Sequence, residues 1–463
     1  MRASSLVTSR RFCHRVFCFV LGVFVGLQMY AALWPWGSNG DGTGESRTLN
    51  ALKLLKDLTV GKLSSSTLVP VVSDIELLNM NISTNKHTAR KTLLRLNSEQ
   101  HIRNIEKFPL DFHNNSVVIL IQVHKRLEDL QIMIESMKSV RYINQTLVIF
   151  SHDYYSPETF QLVLSIEFCP VLQLFYPYAI QFYDKQFPGD SPSDCPRDIG
   201  KEMAMVRGCV NAKFPDTYGH YREGRFAQIK HHWVWKQHYI LDRVRILKDF
   251  TGVVLRLDDD YYLAEDVIHV IRLLNDETPV ACPSCLMYIL GEHEELKPNS
   301  YVSETGDVVI SNWFTGIGRG MAFRRNFWKE FKSCAKFFCK FDDYNWDWAL
   351  EYSTSNCFKG MKILKPKAGR VFHIGTCHGF HRNIKGCDRD RVKSNIQNVL
   401  TTYQKNLFPL KFKVSTNRAR TRPMRQGFGG WSDPRDHELC LRFFENKTDG
   451  VNMLNRVNKV ITT

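Results

Sequence analysis

Three consecutive carboxylates, Asp258-Asp259-Asp260, stand at the end of the apolar run Val253-Val254-Leu255-Arg256-Leu257 and lead straight into Tyr261-Tyr262-Leu263. Carboxylates crowded at the end of a buried strand repel one another and call for compensation. A hard divalent cation supplies it, because it takes oxygen ligands and can hold substrate phosphates at the same time. The competing reading is a solvated loop that caps a following helix, expected over Ala264 to Leu274. Two further polar clusters fall at the ends of predicted strands, Gln122 to Arg126 and Ser151 to Asp153. A nucleotide lying across a sheet would meet all three, with Arg126 on phosphate, Asp153 on ribose or base and the triplet on the cation. His373 is a candidate further ligand. Asp347, flanked by Trp346 and Trp348, has the form of a carbohydrate site, where indole faces pack on sugar C–H surfaces and a carboxylate takes a hydroxyl proton.

Buried strands are needed to place these groups, and the sequence offers them. Val117 to His124 and Thr146 to Asp153 are nearly continuous apolar runs ending in polar residues, as expected of strands covered on both faces. Leu172 to Phe175 reads as a third strand, and Leu127 to Met137 and Gln228 to Leu247 read as helices. Alternation of strand and helix predicts a Rossmann-like, mostly parallel sheet flanked by helices. Asp342 to Trp348 opens a helix with acids near its positive end, and Arg370 to Gly375 is a short strand carrying one histidine. No G-x-G-x-x-G follows the first strand and no P-loop motif occurs, which excludes the usual dinucleotide and P-loop folds.

The chain of 463 residues is 43% hydrophobic and 12% aromatic, ample for a sizeable core, with a formal charge of +15. A basic excess favours anionic partners, but there is no zinc-finger or helix-turn-helix pattern, and no nucleic-acid partner is expected. Arg2, Arg10, Arg11 and Arg15 precede an apolar run over 16–34, long enough to cross a bilayer. Charge on the N-terminal side predicts a cytoplasmic tail over 1–15, an uncleaved signal anchor over 16–34 and the remainder in a lumen. Residues 35–106, polar and poor in aromatics, read as a stem, with a leucine stripe at Leu49, Leu52, Leu55 and Leu58 suited to self-association. Residues 107–463 then form the catalytic domain. In an oxidising lumen the close pairs Cys195/Cys209 and Cys377/Cys387 read as disulfides, Cys282/Cys285 as a local one, and Cys169 as a buried free thiol. Asn81, Asn114, Asn144 and Asn446 are N-glycosylation acceptors.

The motif LDDDYYLAEDV resembles the acidic metal motif of GT-A glycosyltransferases. Together with IQVHKR, VIFSHD, FPGDSPSDCPRD, YGHYREGRFAQIKHHWVWK, FDDYNWDW, RVFHIG and SDPRDHELC, it is similar to the β-1,2-N-acetylglucosaminyltransferases of N-glycan maturation, in their II-type form, from about Val117 to Cys440. That resemblance implies a GT-A fold and an inverting, Mn²⁺-dependent transfer of GlcNAc from UDP-GlcNAc to an α1,6-arm mannose on N-glycans of glycoproteins. It also implies a single-pass Golgi membrane protein, with homo-oligomers possible through anchor or stem. Carried over by position, Gln122, Val123, His124, Lys125, Arg126 and Asp153 line the uridine site, and Gln228, Ile229, Lys230, His231 and His232 contribute to the donor pocket. Asp260 and His373 ligate Mn²⁺, and Asp347 is the base. The resemblance further implies disulfides Cys195–Cys209, Cys282–Cys285, Cys334–Cys357, Cys339–Cys440 and Cys377–Cys387. Departures are Asp258-Asp259, where relatives tend to carry glutamates, and a loosely matching stretch from Asn299 to Gly320. Other readings are a sister enzyme acting on another mannose, a catalytically silent lectin or scaffold of the same fold, and a two-carboxylate glycosidase.

Overall fold

Side chains that alternate across a strand must find cover on both faces if the whole strand is apolar. In Val117–Val123, the residues Val117, Val118, Ile119, Leu120 and Ile121 are all fully buried. The computed structural model describes residues 77–461, except 78–79, 81, 83–84, 292–296, 359, 376–377, 380–381, 384–387, 417–426 and 446–451. The expected anchor over 16–34, Asn81, Asn446 and the Cys377/Cys387 pair lie outside the described residues. Among the described residues no helix is long and apolar enough to cross a membrane.

The strands in chain order are Ile102–Arg103 (β1), Val117–Val123 (β2), Leu147–His152 (β3), Val171–Phe175 (β4), Val253–Asp258 (β5), Tyr261–Leu263 (β6) and Cys285–Ile289 (β7). Asp307–Ser311 (β8), Met321–Arg324 (β9), Lys362–Pro366 (β10), Val371–His373 (β11), His378–Gly379 (β12), Arg382–Asn383 (β13) and Lys413–Thr416 (β14) follow. Helices used below are Lys86–Glu99 (α1), Leu127–Met137 (α2), Gly224–Asp242 (α3), Val267–Ala281 (α4), Trp346–Asn356 (α5) and Pro434–Phe444 (α6).

The main sheet has the order β1-β4-β3-β2-β5-β9-β7-β10-β8-β14. Its β4-β3-β2-β5 portion is parallel. Beyond β5 the sheet is mixed, because β9 runs antiparallel to both β5 and β7, and β8 antiparallel to β10. The expectation of a mostly parallel sheet therefore holds for the half that carries the strand-end clusters. The four-residue β9 is too short to show a period in the sequence. Val118 and Leu120 pack in a core cluster with Trp233 and Trp235 of α3. Ile119 and Ile121 pack on the other face with Leu130 and Met133 of α2 and Ile268 and Ile271 of α4. The chain steps from β2 to β3 to β4 in one direction and returns to place β5 on the other side of β2. That reversal is a topological switch point, where open α/β sheets bind ligands at their carboxyl ends.

Part of the stretch expected as stem belongs to this fold. Asn85 caps α1 by accepting from the Thr88 amide at 2.9 Å. Asn97 then pairs with the backbone of Phe175 in both directions, at 2.6 and 2.7 Å. β1 adds an antiparallel edge to β4. The folded unit thus takes in Lys86 to Arg103, and the reason it reads as stem is that α1 docks through amide hydrogen bonds and few apolar side chains. The α3 helix ends at Asp242, with a separate 3-10 turn over Arg245–Leu247, and α4 starts at Val267 rather than Ala264.

Disulfides Cys195–Cys209, Cys282–Cys285, Cys334–Cys357 and Cys339–Cys440 are formed, and Cys169 is a buried free thiol. Cys357 is the residue that ends α5. Outside the main sheet, β6 and β11 form an antiparallel ribbon that sets His373 opposite Tyr261. A fully buried ion pair fastens this ribbon: Arg370 Nε donates to Asp266 Oδ1 at 2.8 Å and Oδ2 at 2.9 Å. Removing one partner of such a pair leaves an uncompensated buried charge. Asp266→Ala is therefore expected to cost about 3–5 kcal/mol, read as a lower midpoint in denaturant unfolding.

Candidate active site

Pairing register brings the strand ends level. Gln122 of β2 lies opposite Ser151 of β3 on one side and Asp258 of β5 on the other. The residues just beyond, His124 and Arg126, Asp153, and Asp259 and Asp260, line a cavity of about 280 Å³ together with Gln122, Gln228, Ile229, Asp347 and His373. Segments distant in sequence are thus gathered into one place, as expected for those residues.

The three acids are not equivalent. Asp258 is held by Arg256 and by the Tyr261 hydroxyl, which donates at 3.0 Å. Asp259 accepts from the His124 amide at 2.8 Å and from Arg126 at 3.3 Å. Burial, helped by the neighbouring Asp260 and opposed by Arg126, pushes Asp259 up from the usual carboxylate range. Asp260 Oδ2 pairs with Arg126 and lies 2.9 Å from His373 Nε2. Burial would raise Asp260, but His373, Arg126 and Arg319 outweigh it and hold the group low, as a carboxylate. Oδ2 and Nε2 converge closely enough to act as adjacent ligands to one divalent cation. No cluster of three or more protein ligands occurs among the described residues. Two protein donors suit an ion that completes its shell with phosphate oxygens and water.

Asp153 is almost wholly buried and its two oxygens are taken by different histidines. Oδ1 is 2.5 Å from His124 Nδ1, and Oδ2 is 3.1 Å from His232 Nδ1. Against the cost of burial, both histidines pull it far below the usual carboxylate range. His232 in turn meets Ser151 Oγ through Nε2 at 2.8 Å. His232, fully buried, therefore supports Asp153 and does not line the cavity. Three other residues expected in the donor pocket are likewise placed behind it. Lys230 donates to the carbonyls of Phe341 and Asp343 at 3.0 and 2.9 Å, His231 bonds Asp436 of α6 at 3.0 Å, and Val123 is a core residue. Lys125 points outward, with its amine 4.2 Å from the centroid of the Tyr154 ring. Helical spacing explains the division: only one face of α3 meets the cavity, and its first turns supply Arg225, Gln228 and Ile229.

The opposite wall comes from the start of α5. Asp347 Oδ1 accepts from the Trp348 amide at 3.0 Å. Burial, with Asp343 and Glu351 nearby and against the Trp348 and Asp347 amides, pushes Asp347 up to about 6. A carboxylate so placed can take up a proton near neutral pH. Trp346 is stacked on Trp233 at 4.8 Å, and the Arg256 guanidinium lies 4.4 Å from its centroid. Trp346 lines the cavity, as its place beside Asp347 suggests, and Arg225, Arg319 and Asn345 are cavity residues that the sequence reading does not single out. Arg225 and Asn345 adjoin assigned motifs and were within reach of that reading. Arg319 lies in the loosely matching stretch and carried no signal.

A family model described as N-acetylglucosaminyltransferase II (MGAT2) matches residues 90–440, most of the chain and every residue of the cavity. The chain belongs to the N-acetylglucosaminyltransferase II family. Its similarity to members of that family extends well beyond the motifs. The rat and human proteins named alpha-1,6-mannosyl-glycoprotein 2-beta-N-acetylglucosaminyltransferase are each 39% identical to it, over 82% and 83% of this chain and 84% of each relative. An Arabidopsis thaliana protein of the same name is 31% identical over 76% of this chain and 80% of its own length.

The indole wall leaves no room for a side chain at Gly318. A Cβ on Gly318 would stand 2.6 Å from Trp346 Cη2 and 3.3 Å from Trp313 Cη2. Both rings are rigid, so Gly318→Ala is expected to overpack the wall and destabilise the fold by about 1–3 kcal/mol. Thermal unfolding followed by tryptophan fluorescence measures the loss.

Proposed function

We propose that this chain transfers N-acetylglucosamine from UDP-GlcNAc, in β-1,2 linkage and with inversion, to O2 of the α1,6-arm mannose of an N-glycan core that already carries GlcNAc on its other arm. The observation that carries this reading is a single cavity lined by a buried acid–imidazole pair, Asp260 and His373, and by a carboxylate pushed up to about 6 beside an indole, Asp347 and Trp346. Family membership and the activity named for the relatives support the choice of sugar and acceptor.

Inversion requires one in-line displacement. Mannose O2 forms a bond to C1 of the donor sugar as the bond from C1 to the diphosphate oxygen breaks, and Asp347 takes the O2 proton. No covalent intermediate is needed, so no nucleophilic Ser or Cys is required. Asp260 and His373 would hold Mn²⁺, which when bound supplies Lewis-acid neutralisation of the charge released onto the leaving UDP. Arg126 and Arg319 bring further positive charge to the same end of the cavity. Trp346 contributes indole surface to the wall beside Asp347. The compartment is part of the proposal: a Golgi enzyme anchored through 16–34 with its folded domain in the lumen. The four disulfides support an oxidising environment.

Asp347→Asn is expected to fold and to bind UDP while losing transfer by several orders of magnitude. In the unmodified protein the base works as the carboxylate, so kcat/KM should fall tenfold per pH unit below about 6 and level off above it. Initial rates with UDP-GlcNAc and defined N-glycan acceptors check both, and near-normal turnover by the Asn variant removes Asp347 from this role. Asp260→Ala is expected to abolish Mn²⁺-supported UDP binding in calorimetry. Binding that survives that substitution refutes the metal assignment.

A further inference from the structure

Lys236 has no exposed surface, lying on α3 one turn beyond His232. Its amine makes one described hydrogen bond, to the side-chain carbonyl of Gln122. Gln122 is the β2 residue that lies between Ser151 and Asp258 and faces the cavity. We propose that Lys236 is a positioning residue for the donor site: by donating to Gln122 Oε1 it fixes the carboxamide so that the Gln122 NH₂ group is presented to the nucleotide. This rests on the cavity being a UDP-sugar site.

The amide is otherwise free to turn over, since its two ends are nearly equal in shape and opposite in hydrogen-bonding sense. An amine donor behind Oε1 removes that freedom. The NH₂ group then meets an acceptor on the ligand, such as a nucleobase or ribose oxygen. Asp258, Asp153 and Asp259 attract a cation here, but the balance runs against one. A buried amine must be desolvated, and Arg256 adds like charge nearby; together they pull Lys236 well below the ordinary lysine range. An apolar side chain of similar length would avoid both costs. The adjacent contact between Arg256 and Asp258 leaves Arg256 Nε and Nη1 without hydrogen-bond partners among the described residues, so this layer already carries more buried polarity than its own hydrogen bonds satisfy.

The test compares the unmodified protein with Lys236→Met, Gln122→Met and the double variant, reading unfolding temperature and UDP affinity by calorimetry with Mn²⁺ present. Lys236→Met is expected to unfold at the same temperature or higher and to bind UDP about tenfold more weakly, the worth of one hydrogen bond. Gln122→Met should weaken binding at least as much, and the double variant no more than Gln122→Met alone, because Lys236 acts only through Gln122. Unchanged UDP affinity in Lys236→Met, or additive losses in the double variant, overturns the inference while leaving the donor site intact. A lower unfolding temperature in both Lys236→Met and Lys236→Leu also overturns it, since the lysine is then structural. Failure of the unmodified protein to bind UDP overturns the donor-site reading and this inference together.

Discussion

Crowding of like charge at the end of β5 is the constraint on which the rest of the site depends. Asp258, Asp259 and Asp260 emerge from a strand with no exposed apolar residue, where Coulomb repulsion is weakly screened. Each acid is met differently. Arg256 answers Asp258 from within the strand, Arg126 reaches Asp259 and Asp260 from the end of β2, and His373 reaches Asp260 from a ribbon outside the sheet. These partners differ in what they can give up. Arg256 is locked against Trp346 inside the fold, whereas Arg126 and His373 border the cavity and can meet ligand charge.

A second constraint fixes the opposite wall. Asp347 sits in the first turn of α5, where the helix dipole favours an anion, yet burial wins and lifts its affinity for a proton. Two carboxylates of one cavity are thus pushed in opposite directions, Asp260 low and Asp347 high. That separation is what one site needs to bind a cation and accept a proton at the same pH. The α5 helix is held at its far end by the Cys334–Cys357 disulfide, and Lys230 holds the carbonyls of the loop that precedes it.

Much of this was legible in the sequence, for local reasons. The β2, β3 and β5 runs are apolar on both faces and end in polar residues, so both the strands and their functional ends could be read directly. Asp260, His373 and Asp347 were assigned by matching motifs, and they meet in one cavity. Less legible was depth. The Gln228-Ile229-Lys230-His231-His232 motif looks uniform in one dimension, but helical rotation sends Gln228 and Ile229 to the cavity and His231 and His232 to buried partners. The mixed half of the sheet was illegible because β9 is short and pairs only with distant strands. The α1 helix is hard to read because it buries few apolar side chains, Ala89 and Leu93 among them, and is tied to β4 by the Asn97 amide.

Asp260 and His373, in contact at 2.9 Å, are separated by 113 residues of chain. A protein made from its N-terminus therefore exposes the acid triplet long before the imidazole that completes the pair exists. During synthesis the β2 and β5 portions can pair, but the charge at their ends must be met without His373, by Arg126, Arg256 and solvent. Closing so long a loop costs entropy, which the packing of the β6–β11 ribbon and its Arg370–Asp266 pair help to offset. Completion of the Asp260–His373 contact is thus a late event in the life of each molecule, reached only when the last third of the chain has joined the first two.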